Sequence, residues 1–130
     1  MSAGEQTRRA VLGDEHVDRA TAQATEFTAA WQAHLTETAW GAVWSRPGLD
    51  RRTRSLITLA LLTAQHAERE LAMHVAAAVR LGVTATEIRE TLLHTSVYTG
   101  APAANAAFAV AQQALAQLDV PEAAMPKPVD

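Results

Sequence analysis

Apolar positions along this chain recur at spacings of three and four, and no segment alternates residue by residue. A period near 3.6 marks a helix with one buried face, whereas a half-buried strand repeats every second residue. The pattern therefore predicts an all-α protein. Ala20, Ala24, Phe27, Trp31 and Leu35 share one face of a first helix expected from Asp14 to about Thr38. Gly41, Pro47 and Gly48 then interrupt the periodicity, and Trp40 and Trp44 are spaced to lie on one side of a short turn at a corner of the core. Asp50 suits the N-cap of a helix over residues 51 to about 65, whose interior LITLALLTA is apolar nearly all round and belongs at the centre.

After a break near Gln65 and His66, the stretch ELAMHVAAAVRLG reads as a helix that Gly82 ends in the left-handed conformation just past the cap. Thr84 and Glu87 form a T-x-x-E capping box for a helix running through Tyr98 to Gly100. Pro102 suits the first turn of a last helix, where Ala104, Phe108, Ala111, Leu115 and Leu118 make a seam. The sum is about five to six helices. The tail, residues 120–130, carries three prolines and is expected to be extended or disordered.

Composition narrows the class. With 130 residues and 48% hydrophobic content, the chain has material for one domain, with a core over about 8–119. Twenty-nine alanines reinforce the helical reading, because alanine costs least in a helix and lets helices approach closely. Eleven basic residues against 14 acidic ones give a net charge of −3, which disfavours nucleic acid as a partner. Cysteine is absent, which removes disulfides, thiolate metal sites and thiol redox chemistry. The N-terminal stretch lacks a secretory pattern, and the run Leu56 to Ala64 is too short to span a bilayer. A cytoplasmic protein with no membrane partner is expected.

Two polar pairs stand out against this background. Glu70 and His74 are neighbours on one helix, and His94 and Tyr98 repeat the spacing on the next. Folded against each other, these helices would bring two imidazoles, a carboxylate and a phenol together as an acid/base site. For either pair alone, a hydrogen-bonded core or interface histidine is the commoner outcome. Arg51, Arg52 and Arg54 crowd the first turn of the central helix, where each cation opposes the macrodipole by ~0.3–1 kcal/mol. A bound carboxylate relieves this, and so would Asp50 with acidic groups of a neighbouring subunit. Two further readings compete. Glu70, His74 and His94 make a possible three-ligand metal set for a lyase or hydrolase, although no tight metal signature is present. The run from Ala76 to His94 imitates the helix-turn-helix of a regulatory module, but Glu87 and Glu90 outnumber Arg89 on its second helix.

The stretches RRAVLGDEHVDR, AWGAVWSRPGLDRRTRSLITLALL, ELAMHVAAAVRLGVTATEI and LLHTSVYTGAPAANAAF together resemble the carboxymuconolactone decarboxylase family, over about residues 8–118. The last two stretches are shared with the wider superfamily of alkylhydroperoxidase AhpD-like proteins. Those relatives carry C-x-x-C and then a histidine four residues later. Here His74 is kept while Ala67 and Glu70 occupy the cysteine positions, so dithiol peroxide reduction is chemically closed.

The resemblance implies an AhpD-like all-α fold and a homo-oligomer, trimer or hexamer, with sites near subunit contacts. It also implies cofactor-free decarboxylation of 4-carboxymuconolactone to 3-oxoadipate enol-lactone and CO2, in the protocatechuate branch of the β-ketoadipate pathway. It points to His74, Glu70 and the stretch from His94 to Pro102 as the site region. Within it our assignment makes His74 the proton donor, Glu70 its orienting partner, and His94 or Tyr98 the hydrogen-bond donor to the lactone oxygen. Arg51, with Arg52, would anchor a substrate carboxylate, and Trp44 and Pro102 would complete the substrate-binding set.

Overall fold

The structure, a computed structural model, describes residues 1–122, and all regular structure among them is helical. It comprises α1 (Ala3–Leu12), α2 (Asp14–Gln23), α3 (Glu26–Leu35), a π-helix (Thr36–Trp44), α4 (Arg51–Ala64), α5 (Glu68–Arg80), α6 (Ala85–Thr99) and α7 (Ala101–Gln117). The elements fall into two compact units, Met1–Arg54 and Ser55 onward.

In the first unit, α1 is a helix that the hydrophobic pattern does not announce. Ser2 caps it, its side chain accepting from the Glu5 amide at 3.1 Å, and the face it buries is Gly4, Thr7, Arg8 and Val11. That is a helical spacing carried by small and polar residues. Gly13, at φ 91°, joins α1 to α2, and Arg9 ties the two by ion pairs to Asp14 at 3.1 Å and Asp18 at 2.8 Å.

The single helix expected over residues 14–38 is not formed. Ala24 is extended, and Thr25 and Thr28 exchange backbone and side-chain hydrogen bonds in a capping box that restarts the chain as α3. The restart resets the helical phase, so the expected inner face is turned out: Phe27 is 92% and Trp31 58% exposed. α3 runs directly into the π-helix. There Thr36 and Thr38 donate to the carbonyls of Gln32 and His34 at 2.8 Å, and Ser45 donates to Gly41. Hydroxyls bonded four residues back compete with the α-helical ladder and loosen it. As expected, Trp40 and Trp44 lie on one side, with ring centroids 5.0 Å apart and Trp40 buried.

α1 crosses this π-helix at a point where only backbone fits. A Cβ on Gly4 would run into the Thr36 carbonyl oxygen and stand 3.1 Å from the Gly41 nitrogen.

The second unit holds the apolar core. Leu59 of α4, Leu71 and Val75 of α5, Ile88 and Leu92 of α6 and Leu115 of α7 are nearly or fully buried, each side chain gaining roughly 1.5–3 kcal/mol from burial. Ala78, Ala107, Ala111 and Ala114 fill the spaces between them, which lets α7 pack closely on α5 and α6. α4 begins as expected, Asp50 Oδ1 accepting from the Thr53 amide at 2.7 Å. It is not wrapped on all sides, however, since Ile57 and Leu61 remain 45% and 55% exposed.

His66, at φ 55°, makes the break before α5. α5 ends in a Schellman motif: Gly82 has φ 85°, its amide donates to Val79, and the Val83 amide donates to Ala78. The Thr84–Glu87 capping box opens α6, and Pro102 lies in the first turn of α7. α7 buries most of its expected seam, although Leu118 is 43% exposed. Val120 packs on the core and its amide donates to Leu115, so folded structure continues past residue 119. The rest of the expected tail, residues 123–130, lies outside the described residues. Seven α-helices and a π-helix among the described residues thus replace the expected five to six helices.

Candidate active site

α5 buries Leu71, His74, Val75 and Ala78, a stripe at spacings of three, one and three. His74 therefore belongs to the inward face of an alanine-rich helix, and it is only 8% exposed. Glu70, one turn earlier, is exposed.

On α6 the inward stripe is Ala85, Ile88, Leu92 and Thr95. His94 and Tyr98 lie off that stripe and are exposed, Tyr98 by 78%, with their rings stacked at 5.5 Å between centroids and tilted by 40°. The structure thus brings His94 and Tyr98 together, as the spacing predicts. It does not place that pair on a buried face beside His74, because residues 94 and 98 are out of phase with 88, 92 and 95.

The metal reading needs three ligands to converge, and no group of three His, Cys, Asp or Glu among the described residues is placed to hold an ion. The regulatory reading fares no better. The single cation in the middle of α6, Arg89, is paired with Glu90 at 3.7 Å, and the helix spends its inward face on the core.

At the start of α4, Arg51 Nη2 donates to Thr7 Oγ1 at 3.3 Å and Arg54 Nη2 to the Arg46 carbonyl at 3.4 Å. Arg51 and Arg52 are both half-buried. The Asp50 carboxyl is held below its usual range by hydrogen bonds from the Thr53 amide and hydroxyl, with Arg52 adding a smaller pull. Asp50 thus supplies anionic charge at this helix start. Trp44 stacks on Trp40, and Pro102 is exposed at the start of α7.

The first unit contains a feature that sequence reasoning passed over. An open cavity of about 800 Å³ is walled by α1, α2, α3 and the π-helix. Arg8, only 8% exposed, lines it, and its Nη2 donates to Gln32 Oε1 at 3.0 Å. Burial, and then the neighbouring charge of Arg9, lower the pKa of the Arg8 guanidinium, against a smaller opposing pull from Glu5. The signal available in the sequence was the S-x-x-E pattern of Ser2 and Glu5, which starts the helix that carries Arg8. A smaller groove of about 280 Å³ between α6 and α7 is lined mainly by Ile88, Leu92, Phe108 and Leu115.

Comparison with known proteins gives these features a context. The chain is 48% identical over 112 residues to the nitrosuccinic acid decarboxylase of Metarhizium robertsii, covering 86% of this chain and 78% of that protein. It is 44% identical over 117 residues to the 4-carboxymuconolactone decarboxylase of Acinetobacter baylyi, covering 90% of this chain and 87% of that protein. The profile of the carboxymuconolactone decarboxylase family matches residues 29–113, a span from α3 into α7 that includes His74 and the stretch from His94 to Pro102. With two decarboxylases matched at this identity over most of its length, the chain belongs to the carboxymuconolactone decarboxylase family.

Proposed function

We propose that the protein decarboxylates 4-carboxymuconolactone to 3-oxoadipate enol-lactone. The observation that carries this reading is the 44% identity to a 4-carboxymuconolactone decarboxylase over 90% of this chain and 87% of that one, the larger shared span of the two decarboxylases compared. The chemistry suits a chain that offers imidazoles and guanidinium groups. Cleavage of the bond between the γ carbon and its carboxylate releases CO2. The electron pair left behind spreads through the ring double bond onto the lactone carbonyl oxygen. One proton is then delivered to the carbon next to that carbonyl. The substrate is its own electron sink, so the protein has three tasks: holding a carboxylate, stabilising the enolate oxygen, and supplying the proton.

Imidazole is the side chain that titrates nearest neutral pH, and His74 sits in an apolar stripe that keeps bulk water away. In this proposal His74 donates the proton, oriented by Glu70, and His94 or Tyr98 hydrogen-bonds the developing oxyanion. Arg51 and Arg52 anchor the carboxylate that is retained, with Trp44 and Pro102 at the substrate. Since His94 and Tyr98 are exposed on α6, their share in the site fits a surface covered in a homo-oligomer.

A second reading is favoured by the 48% identity to a nitrosuccinic acid decarboxylase. A nitro group beside the departing carboxylate also accepts the electron pair on oxygen, so both reactions belong to one class: loss of CO2 from an activated dicarboxylic acid. The two are separated by supplying purified protein with each compound and following CO2 release and product. The lactone is expected to turn over with the higher kcat/KM, and His74→Ala to lose roughly 10²-fold or more in kcat with its helical content unchanged. Faster turnover of nitrosuccinic acid would move the assignment to the second reading, and wild-type rates in His74→Ala would remove His74 from the mechanism.

A further inference from the structure

We propose that the cavity of the first unit is a binding site for a small monocarboxylate with an apolar body, held by the guanidinium of Arg8. The cavity measures about 800 Å³, within the size range of small-molecule sites. Arg8 lines it while more than nine-tenths buried. Its Nη2 is engaged by Gln32 Oε1 at 3.0 Å, but its Nε–H meets no acceptor among the described residues. A buried donor without an acceptor costs roughly 1–3 kcal/mol, and more on a charged group, so a small turn of the Arg8 side chain that brings Nε–H to a ligand oxygen in the cavity recovers that cost. A planar carboxylate matches the edge of a guanidinium better than any neutral acceptor does.

The rest of the lining sets the charge and the body of the ligand. Arg9 pairs with Asp14 and Asp18 and, at 3.5 Å, with Glu5, but does not itself line the space, which leaves Arg8 as the cation of the cavity wall. Glu5 and Glu37 line the same space. With Glu5 paired to Arg9, Arg8 offsets the carboxylate of Glu37; a monoanion then adds one uncompensated negative charge to the cavity and a dianion two, so dianions and phosphate are disfavoured. Val17, Ala33 and Ala42 supply apolar wall for the remainder of the molecule. This preference is the reverse of what a dicarboxylic acid substrate would require, which sets the site apart from the decarboxylation chemistry.

Benzoate is the probe, titrated into the ¹⁵N-labelled full chain, with benzamide, succinate and phosphate as comparisons. Saturable shifts are expected at Gly4 and Gly41 and at the Gln32 side-chain amide with benzoate. Benzamide, which keeps the shape and lacks the charge, should leave them unmoved, and succinate and phosphate should bind more weakly. Arg8→Gln is expected to weaken benzoate roughly tenfold or more, and Arg8→Lys to restore only part of the loss. Absence of saturable shifts at millimolar benzoate, equal binding of benzamide, or phosphate or succinate binding as tightly would each overturn the proposal. So would unchanged benzoate affinity in a folded Arg8→Gln protein. If that variant fails to fold, the four-ligand comparison on the wild type decides alone. None of these readouts depends on decarboxylase activity.

Discussion

His16 on α2 is half-buried, and its pKa lies below the ordinary 6.5, first through burial and then through the positive charges of Arg19 and Arg8. The sign of the consequence is fixed by which state takes up the proton. Below about pH 6.5 the unfolded chain protonates this imidazole and the folded chain does not, so stability falls with pH until the lower, folded pKa is passed. Trp31, Trp40 and Trp44 all lie in the first unit, so their fluorescence reports on the surroundings of His16. The urea midpoint is expected to drop between about pH 7.5 and 5.5, and His16→Gln to shrink that drop. An identical pH dependence in the two proteins would refute the assignment. Residues differ in how far the sequence exposes such roles. The burial of His74 is legible from its spacing to Leu71, Val75 and Ala78 on one face of α5, which fixes where the imidazole lies and not what it does. His94 and Tyr98 were half legible, since a spacing of four shows that two side chains share a side but not which side. Arg8 was illegible, because its partner Gln32 is 24 residues away and no local rule joins them.

Element boundaries were read best where a cap is a local hydrogen bond. Asp50, Gly82 and the Thr84–Glu87 box all act where the sequence placed them, since each motif closes within five residues. The long helix over 14–38 failed for the complementary reason. Its apolar spacing was continuous on paper, but the Thr25–Thr28 box broke the chain and rotated Phe27 and Trp31 outward. α1 and the π-helix were missed because their contact is made by Gly4 and Gly41, residues with no hydrophobic signal. Two glycine variants separate these causes. At Gly82 a methyl group meets open space, so Gly82→Ala pays only for the left-handed backbone, about 1–2 kcal/mol. At Gly4 the same methyl group runs into the Thr36 carbonyl, which is backbone and cannot turn aside. Gly4→Ala is therefore expected to cost more, about 3 kcal/mol or beyond, or to displace α1 from the π-helix. Urea unfolding of both variants checks the order, and a Gly82→Ala protein less stable than Gly4→Ala would contradict the packing described.

At the scale of the whole molecule, the apolar surface left in water demands an explanation. No helix among the described residues is long and apolar enough to cross a membrane, so a bilayer-spanning helix does not account for it. α6 leaves Leu93, Val97 and Tyr98 exposed by 48%, 77% and 78%, and α4 leaves Ile57 and Leu61 exposed by 45% and 55%. Leu93 and Val97, like Ile57 and Leu61, are four apart, so each helix presents a ridge of the kind that packs into another helix's groove. A second copy of the chain is the occupant we propose, because closed homo-oligomers bury such ridges at their subunit contacts. It would also take the His94–Tyr98 stack out of water, as an oxyanion-binding role requires. Light scattering after size exclusion is expected to give the mass of a homo-oligomer. Val97→Glu would force a carboxylate into that contact, at a cost of several kcal/mol, and is expected to shift the mass toward the monomer. Since Val97 is mostly exposed within one chain, its helical content should stay unchanged, so dissociation would not be confused with unfolding. A wild-type protein that is monomeric at micromolar concentration would refute the assembly and leave His94 and Tyr98 without a route into the active site.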